Sequence, residues 1–252
     1  MSSEKKVGPK TATDFDEMKR ATPARLGVGR AGPRYTTASM LALRADHARA
    51  VDAVLNEVPR DWARHHGLLE VHSEARTRDE YLRYPERGRR LDSDSIARVK
   101  RLASPSKRAA KSSVLICVGD GLSSAAVEKN AAILLKALNR SLASRYRLLK
   151  PLFIRNARVR IEDHLGEILR LDVACMIVGE RPGLATVESL SAYVIYRPSL
   201  KSAEPDRTVI SNIHRGGIPI AAAARKIAAL IDDAIRFGAS GASLAARTSP
   251  SV

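Results

Sequence analysis

The sequence predicts an α/β fold in which a mostly parallel sheet domain follows a small, mainly helical domain. Three observations support this prediction. In the second half of the 252-residue chain, short apolar runs alternate with segments of helical period. These runs are apolar on both faces, which is typical of parallel strands covered by helices on each side. In the first half helical periodicity prevails, and a stretch rich in Ser and Lys separates the two halves.

Helical patterns dominate the N-terminal third. Residues 1–20 are polar and without a period, which predicts a flexible segment. Residues 37–58 predict a helix, with a threonine to cap it, a proline to end it and apolar side chains every three or four positions. His47 lies on this apolar stripe, so we expect a core-edge histidine. Short helical or turn pieces follow over residues 61–91, and residues 93–104 repeat the helical period.

The patterns divide the chain into four regions. We predict a flexible segment at 1–20, a mainly helical domain at 21–103, a linker at 104–113 and a Rossmann-like α/β domain at 114–252. In such a domain, ligands bind at the carboxyl ends of the strands. The elements predicted in it are strands at residues 114–118, 152–161 in part, 173–178, 192–196 and 208–210, and helices at 123–147, 162–170 and 219–237.

The charge of the chain bears on its partners. The net charge is +16 and the sequence pI is about 10.3, which raises the question of a nucleic-acid partner. The basic residues are spread over both halves, and aromatic residues, which single-strand binders use for stacking, make up only 4% of the chain. We therefore expect no nucleic-acid partner. An acidic protein partner, or simply a basic surface, explains the charge.

Composition also limits the compartment. No apolar run approaches the roughly 18 to 20 residues that span a bilayer, so we expect no membrane partner. The N-terminus shows no secretory pattern, and the cytoplasm is the expected location. Cys117 and Cys175 lie far apart inside apolar runs and form no C-x-x-C pair, which predicts buried thiols in a reducing compartment.

The sequence lacks the motifs of a self-sufficient enzyme. Residues 27–32, "GVGRAG", match G-x-G-x-x-G, but no predicted strand precedes them, so we interpret them as a basic glycine loop. No nucleophile elbow, P-loop or H-E-x-x-H helix occurs, and the adjacent His65 and His66 make a poor ligand pair. We therefore predict that this chain is not a self-sufficient hydrolase or metalloenzyme, and we expect no metal ligand in it.

Polar groups follow three predicted strands, in residues 155–163, 178–184 and 206–219. In a parallel sheet these ends would converge on one crevice, which also receives the glycine turn at residues 119–121. That turn either offers backbone N–H groups to a ligand or simply joins a strand to a helix. The residues alone leave two alternatives open for Glu180, a ligand contact or an ion pair with Arg181 or another nearby arginine.

Several polar strings of the chain carry a family resemblance. They are, in order, "RLGVGRAGPR", "VGDGLSS", "FIRNARVRIEDHLGEIL", "VGERPGLATVESLSAYVIYRP" and "DRTVISNIHRGGIP". Over about residues 19–245 the chain resembles the small (light) subunit family of ethanolamine ammonia-lyase. The last two strings are highly specific, because nothing in generic fold physics demands their polar residues.

The resemblance implies an adenosylcobalamin-dependent lyase that converts ethanolamine to acetaldehyde and ammonia by radical chemistry. It implies a large subunit whose TIM barrel binds the substrate, and a hetero-oligomer in which this chain contacts the cofactor. By motif, the family's cobalamin-contacting positions fall on Val159, Glu180 and Val209. Cysteine is familiar at the place of Val209, so a backbone contact would survive the exchange and a sulfur contact would not. No histidine here stands in a D-x-H-x-x-G loop, which implies base-on binding.

A rival of a different class is a non-catalytic α/β ligand-binding or scaffolding module. Ammonia release that requires both chains and adenosylcobalamin distinguishes the two hypotheses. Many relatives carry an N-terminal amphipathic helix that directs them into a bacterial microcompartment. No such helix is visible in residues 1–20, which leaves encapsulation open.

Overall fold

The computed structural model describes residues 12–22, 24–102 and 111–248. A π-helical turn, Val127–Ala131, connects a short helix that ends at residue 126 to a longer one that begins at residue 132. The helices are α1 (Ala12–Ala21), α2 (Thr37–Leu55), α3 (Trp62–His65), α4 (Arg78–Arg83), α5 (Ser93–Lys100), α6 (Ser124–Ala126), α7 (Ala132–Leu142), α8 (Ile161–Leu169), α9 (Ile220–Phe237) and α10 (Gly241–Thr248). The strands are β1 (Arg30–Ala31), β2 (Arg34–Tyr35), β3 (Leu69–His72), β4 (Ser113–Gly119), β5 (Arg147–Leu148), β6 (Leu152–Arg155), β7 (Val173–Gly179), β8 (Leu190–Tyr196) and β9 (Arg207–Ile213).

One mixed sheet organises the molecule, in the order β3-β6-β4-β7-β8-β9, with the short β5 beside β4. Strands β3, β6, β4 and β7 are parallel, which confirms the prediction for β6, β4 and β7. Strand β8 runs antiparallel to both β7 and β9, which corrects the prediction of a mostly parallel sheet at this end. The reversal arises because no crossover helix lies between β7 and β8, so the chain returns directly alongside the strand it has just left. The finer assignment to a Rossmann-like fold stays a prediction.

Helices cover both faces of this sheet, which explains the uniformly apolar runs. Side chains of α6, α7 and α9 pack with alternate strand residues on one face. Side chains of α5 and α8 pack with the intervening residues on the other face. Cys117 and Cys175 lie on opposite faces and are fully buried free thiols, as predicted. None of the described helices combines the length and the apolar composition needed to cross a bilayer.

The N-terminal third contributes to the same sheet. Strand β3 pairs in parallel with β6, so the prediction of helical or turn pieces is wrong at Leu69–His72. Helix α1 forms over Ala12–Ala21, within the segment predicted to lack a period, and residues 1–11 lie outside the described residues. Of the predicted linker, residues 104–110 are outside the described ranges and Ser113 already belongs to β4. The division into two domains stays a prediction.

Helix α2 begins where predicted but faces outward more than expected. The Thr36 hydroxyl caps it by accepting a hydrogen bond from Ser39 N at 3.3 Å. The predicted apolar stripe is not buried: Met40 is 37% and Val51 39% exposed, and His47 is exposed as well. The core-edge prediction for His47 is therefore wrong. Only the C-terminal part of α2 packs on the body, because Ala53 is its one buried residue.

An ionic cluster joins β9 to α8. Arg207 Nε donates to Glu162 Oε1 at 2.9 Å, and Arg207 Nη2 donates to Asp163 Oδ1. All three side chains are at most 3% exposed. Burial raises the pKa of Glu162 well above its ordinary value, while Arg207 acts in the opposite direction. The guanidinium therefore compensates two carboxylates inside the protein and fixes the outer strand to the helix.

Arg207→Ala should lower the free energy of unfolding by about 3 to 5 kcal/mol, because it leaves the buried Glu162 carboxylate uncompensated, while Asp163 keeps its pair with Arg160. Urea denaturation measures the change. Arg140→Ala removes an exposed arginine of α7 as the matched control and should stay within about 0.5 kcal/mol of the parent. Equal effects of the two substitutions would contradict the structural role of the cluster.

Candidate functional site

A crevice lies at the edge of the sheet where β4, β6 and β7 end and β8 begins. Its cavity measures about 190 Å³. The neighbouring strand ends bring together residues that are far apart in the sequence, as predicted for the carboxyl edge of parallel strands. The lining residues are Tyr81, Gly121, Leu122, Ala157, Arg158, Val159, Val178, Gly179, Glu180, Arg181, Ser191 and Tyr193.

The glycine turn after β4 forms one wall of the crevice. Gly121 has φ of +58°, and a Cβ there would lie 2.3 Å from Gly179 O, so only glycine allows this close approach. Leu122 N donates to Gly179 O at 2.9 Å, and Ser123 Oγ accepts from Ala126 N at 3.2 Å. These donors are used within the protein. The turn thus joins β4 to α6, and the offer of backbone N–H groups to a ligand stays a prediction.

Asp120 in this turn is a buried carboxylate that holds the next loop. It is 1% exposed and accepts hydrogen bonds from Asn156 N at 2.9 Å and Ala157 N at 3.1 Å. Arg78 Nη1 lies 3.8 Å from Asp120 Oδ2, the oxygen that also accepts from Asn156 N. Burial raises the pKa of Asp120, and Arg78 and the two N–H donors oppose that shift. Asp120 thus positions the loop between β6 and α8 that carries Val159.

Glu180 follows β7 directly and is half-buried. Its Oε1 accepts from Ser191 Oγ at 2.5 Å and from Asn212 N at 2.8 Å. Among the described residues it forms no salt bridge, so the ion-pair alternative with Arg181 is not realised. Both donors bind the same oxygen, and Oε2 has no hydrogen-bond partner within the described ranges. The carboxylate is therefore oriented by β8 and β9 and can accept from a ligand in the crevice.

Two tyrosines add hydroxyl groups to the crevice. The ring of Tyr81 lies 4.7 Å from the Arg78 guanidinium and 4.1 Å from that of Arg158. Burial, and then the Asp120 carboxylate, raises the pKa of Tyr81 to about 12. Burial, and then the Glu180 carboxylate, raises the pKa of Tyr193. Near neutral pH both hydroxyl groups keep their protons and can donate hydrogen bonds.

The structure brings two of the three predicted contact residues together. Val159 and Glu180 line the cavity, whereas Val209 does not. Val209 pairs with Tyr193 across β8 and β9 and is 47% exposed. It lies beside the crevice, along the outer strand. The predicted convergence of strand ends holds for Glu180 and Asn212, because β9 runs in the same direction as β7.

Sequence reasoning missed Ser191 and Tyr193 at this site. Both belong to β8, whose reversed direction places its first residues at the crevice. Their spacing of two positions on a strand is a signal that they share a face, but only the strand direction shows which edge they reach. Asp120 lies within the predicted glycine turn, but its partners Asn156 and Arg78 come from remote segments of the chain.

The glycine-rich residues 27–32 have a different environment. They lead into the hairpin of β1 and β2, in which Arg30 pairs with Tyr35. Gly32 occupies the hairpin turn with φ of +61°. This is a strand–turn–strand unit, and the strand–turn–helix unit of a dinucleotide site is not formed there.

Comparisons with known proteins agree on one family. The family model for "Ethanolamine ammonia-lyase light chain (EutC)" matches residues 12–245. The ethanolamine ammonia-lyase small subunit of Clostridioides difficile (strain 630) is 45% identical over 238 residues, which are 94% of this chain and 79% of that protein. That of Fusobacterium nucleatum is 45% identical over 240 residues, 93% of this chain and 79% of that protein. The small subunit of Listeria monocytogenes serotype 4a (strain HCC23) is 42% identical over 238 residues, which are 94% of this chain and 79% of that protein.

Asp120→Ala should lower the free energy of unfolding by about 3 to 5 kcal/mol, because it leaves two backbone N–H groups without their buried acceptor and removes the carboxylate that pairs with the Arg78 charge. Chemical denaturation provides the measurement. Asp79→Ala is the matched control, since Asp79 forms a surface pair with Arg83 and is 67% exposed, and it should cost less than about 1 kcal/mol. A small effect at Asp120 would show that this carboxylate does not hold the loop.

Proposed function

The chain belongs to the ethanolamine ammonia-lyase light-chain family, and from this premise we propose that it is the small subunit of an adenosylcobalamin-dependent ethanolamine ammonia-lyase. In this proposal the assembled enzyme converts ethanolamine to acetaldehyde and ammonia by radical chemistry. The observation that supports a cofactor-contacting role is the orientation of Glu180, which presents one carboxylate oxygen to the crevice. In this proposal the chain contacts the cofactor and the large subunit and supplies neither the catalytic acid or base nor a metal ligand.

The residues of the crevice fit the rim of a corrin. That rim carries amide side chains, which both donate and accept hydrogen bonds. Glu180 can accept from such an amide and the Tyr193 hydroxyl can donate to one, while Val159 offers apolar contact. The cavity of about 190 Å³ is smaller than the roughly 300 to 1,000 Å³ of complete small-molecule sites. The crevice would therefore hold one edge of the cofactor, and another chain would enclose the rest.

The chemistry divides between the cofactor and the protein. Adenosylcobalamin, when bound, supplies a cobalt–carbon bond whose homolysis begins the radical reaction. Glu180 and Tyr193 orient the amide rim, and the apolar side chain of Val159 excludes water from that edge. Val209 lies next to Tyr193, where a backbone contact would not depend on the side chain that replaces the familiar cysteine. We propose base-on binding, since no histidine has the D-x-H-x-x-G context.

The partner in this proposal is the large subunit, whose TIM barrel binds ethanolamine and joins this chain in a hetero-oligomer. We place the enzyme in the cytoplasm and leave encapsulation in a microcompartment open. The deciding experiment mixes the purified large subunit, this chain and adenosylcobalamin with ethanolamine and measures ammonia. Ammonia release that needs all three components supports the proposal. The absence of both a complex and ammonia release would overturn it.

Glu180→Gln should raise the Kd of adenosylcobalamin for the two-chain complex, because an amide accepts a hydrogen bond more weakly than a carboxylate. The expected loss is about 1 to 3 kcal/mol, or roughly 5- to 150-fold. Equilibrium dialysis measures the Kd, and sedimentation checks that the complex still forms. Glu188→Gln is the control, because Glu188 pairs with Lys129 on the surface. Unchanged affinity of the Glu180 variant would assign that carboxylate to the fold alone.

A further inference from the structure

An exposed groove lies between the β1–β2 hairpin and the first turns of α2, and it is separate from the crevice. We define this hairpin groove by Arg30, Arg34, Tyr35, Met40, Leu41 and Arg44. Its cavity measures about 400 Å³. The described elements leave its apolar side chains uncovered, since Tyr35 is 49% and Leu41 59% exposed.

The arginines that line the hairpin groove lack the salt bridges that two nearby arginines form. Arg25 and Arg49 both form salt bridges with Asp46. Among the described residues, Arg30, Arg34 and Arg44 have no salt-bridge partner, and all three are exposed. The Arg30 guanidinium lies 5.8 Å from the ring of Tyr35. The groove therefore combines an apolar floor with three arginines whose charge no described carboxylate neutralises. An apolar side chain flanked by carboxylates complements both properties.

The hairpin groove is formed by local structure. Arg30 and Ala31 pair with Tyr35 and Arg34 across the hairpin. Thr36 N donates to Gly29 O at 3.1 Å, and the Thr36 hydroxyl caps α2. These bonds fix the hairpin against the start of the helix. A partner would thus meet a shaped surface and would not need to order it, which favours binding.

We propose that the hairpin groove docks a segment of the large subunit that presents an apolar side chain between acidic residues. This inference rests on the proposed function. A second copy of this chain is a poor occupant, because a symmetric contact would oppose the same three arginines in a chain of net charge +16. Residues 1–11 are also a poor occupant, because they contain three lysines, Lys5, Lys6 and Lys10, and only one acidic residue, Glu4. A nucleic acid would leave Leu41 and Met40 without an apolar partner.

The first test measures binding of this chain to the large subunit by surface plasmon resonance at two salt concentrations. Leu41→Asp should raise the Kd about tenfold or more by placing a charge on the apolar floor. The double variant Arg34→Glu/Arg44→Glu should slow association about tenfold at low salt and weaken its salt dependence. Arg140→Glu/Arg236→Glu makes the same charge change at exposed sites on α7 and α9 and should leave the rate within about twofold.

The second test identifies the occupant. A photo-crosslinking amino acid at position 41 of the two-chain complex should capture a large-subunit peptide that contains Asp or Glu beside an apolar residue. Capture of a second copy, of residues 1–11, of nucleic acid or of a non-acidic peptide would overturn the inference. Normal binding by both groove variants would overturn it too, while the proposed function would stand if the parent complex releases ammonia. Failure of the parent chain to form any complex would overturn both.

Discussion

A single buried carboxylate connects the parts of the molecule that form the crevice. Asp120 lies in the turn after β4 and accepts hydrogen bonds from two backbone N–H groups of the loop after β6. Its Oδ2 lies 3.8 Å from Arg78 Nη1. Arg78 in turn donates through Nε to Val54 O, near the end of α2. A charge in the interior is stable only with such partners, because its removal from water is otherwise very unfavourable. The wall of the crevice, the Val159 loop and the outer helix α2 are thereby held in one arrangement.

The reversal of β8 gives the crevice its chemical character. In an all-parallel sheet, the neighbour of Glu180 would be the carboxyl end of another strand. Here the neighbour is the beginning of β8, which supplies the Ser191 hydroxyl that orients Glu180 and the Tyr193 hydroxyl beside it. Strand β9 then returns in the direction of β7 and donates Asn212 N to the same carboxylate. Donors from two adjacent strands, β8 and β9, therefore meet at one oxygen of the residue that follows β7. The ionic cluster of Arg207 secures β9, the outer of the two.

The sequence predicted those features that depend on local pattern. Uniformly apolar runs marked β4 and β7, and strong helical period marked α8 and α9, because burial between two layers imposes the same hydrophobicity along the chain. Features set by distant partners were not accessible. Helix α2 is largely exposed because Ala53 is its one buried residue, and the sequence of the helix does not show which side chains contact the rest of the protein. Strand β3 is part of the sheet because it pairs with β6, which lies about 80 residues further along the chain. At the site, the motif resemblance predicted Glu180 and Val159. The role of Asp120 was not predictable, because it depends on a hydrogen bond from Asn156 N, which lies 36 residues further along the chain.

The hairpin of β7 and β8 also has a consequence for the order in which the chain folds. Glu180 and Ser191 are 11 residues apart, whereas the bond from Ser73 to Asn156 O that accompanies the β3–β6 edge spans 83 residues. Closing a short loop loses less chain entropy than closing a long one, and local contacts form faster. The Glu180 side of the crevice can therefore assemble within one contiguous stretch of chain, while the Tyr81 side waits for the N-terminal third to dock. The topology thus divides the crevice into a half built from one contiguous stretch of chain and a half completed by contacts between distant parts of the sequence.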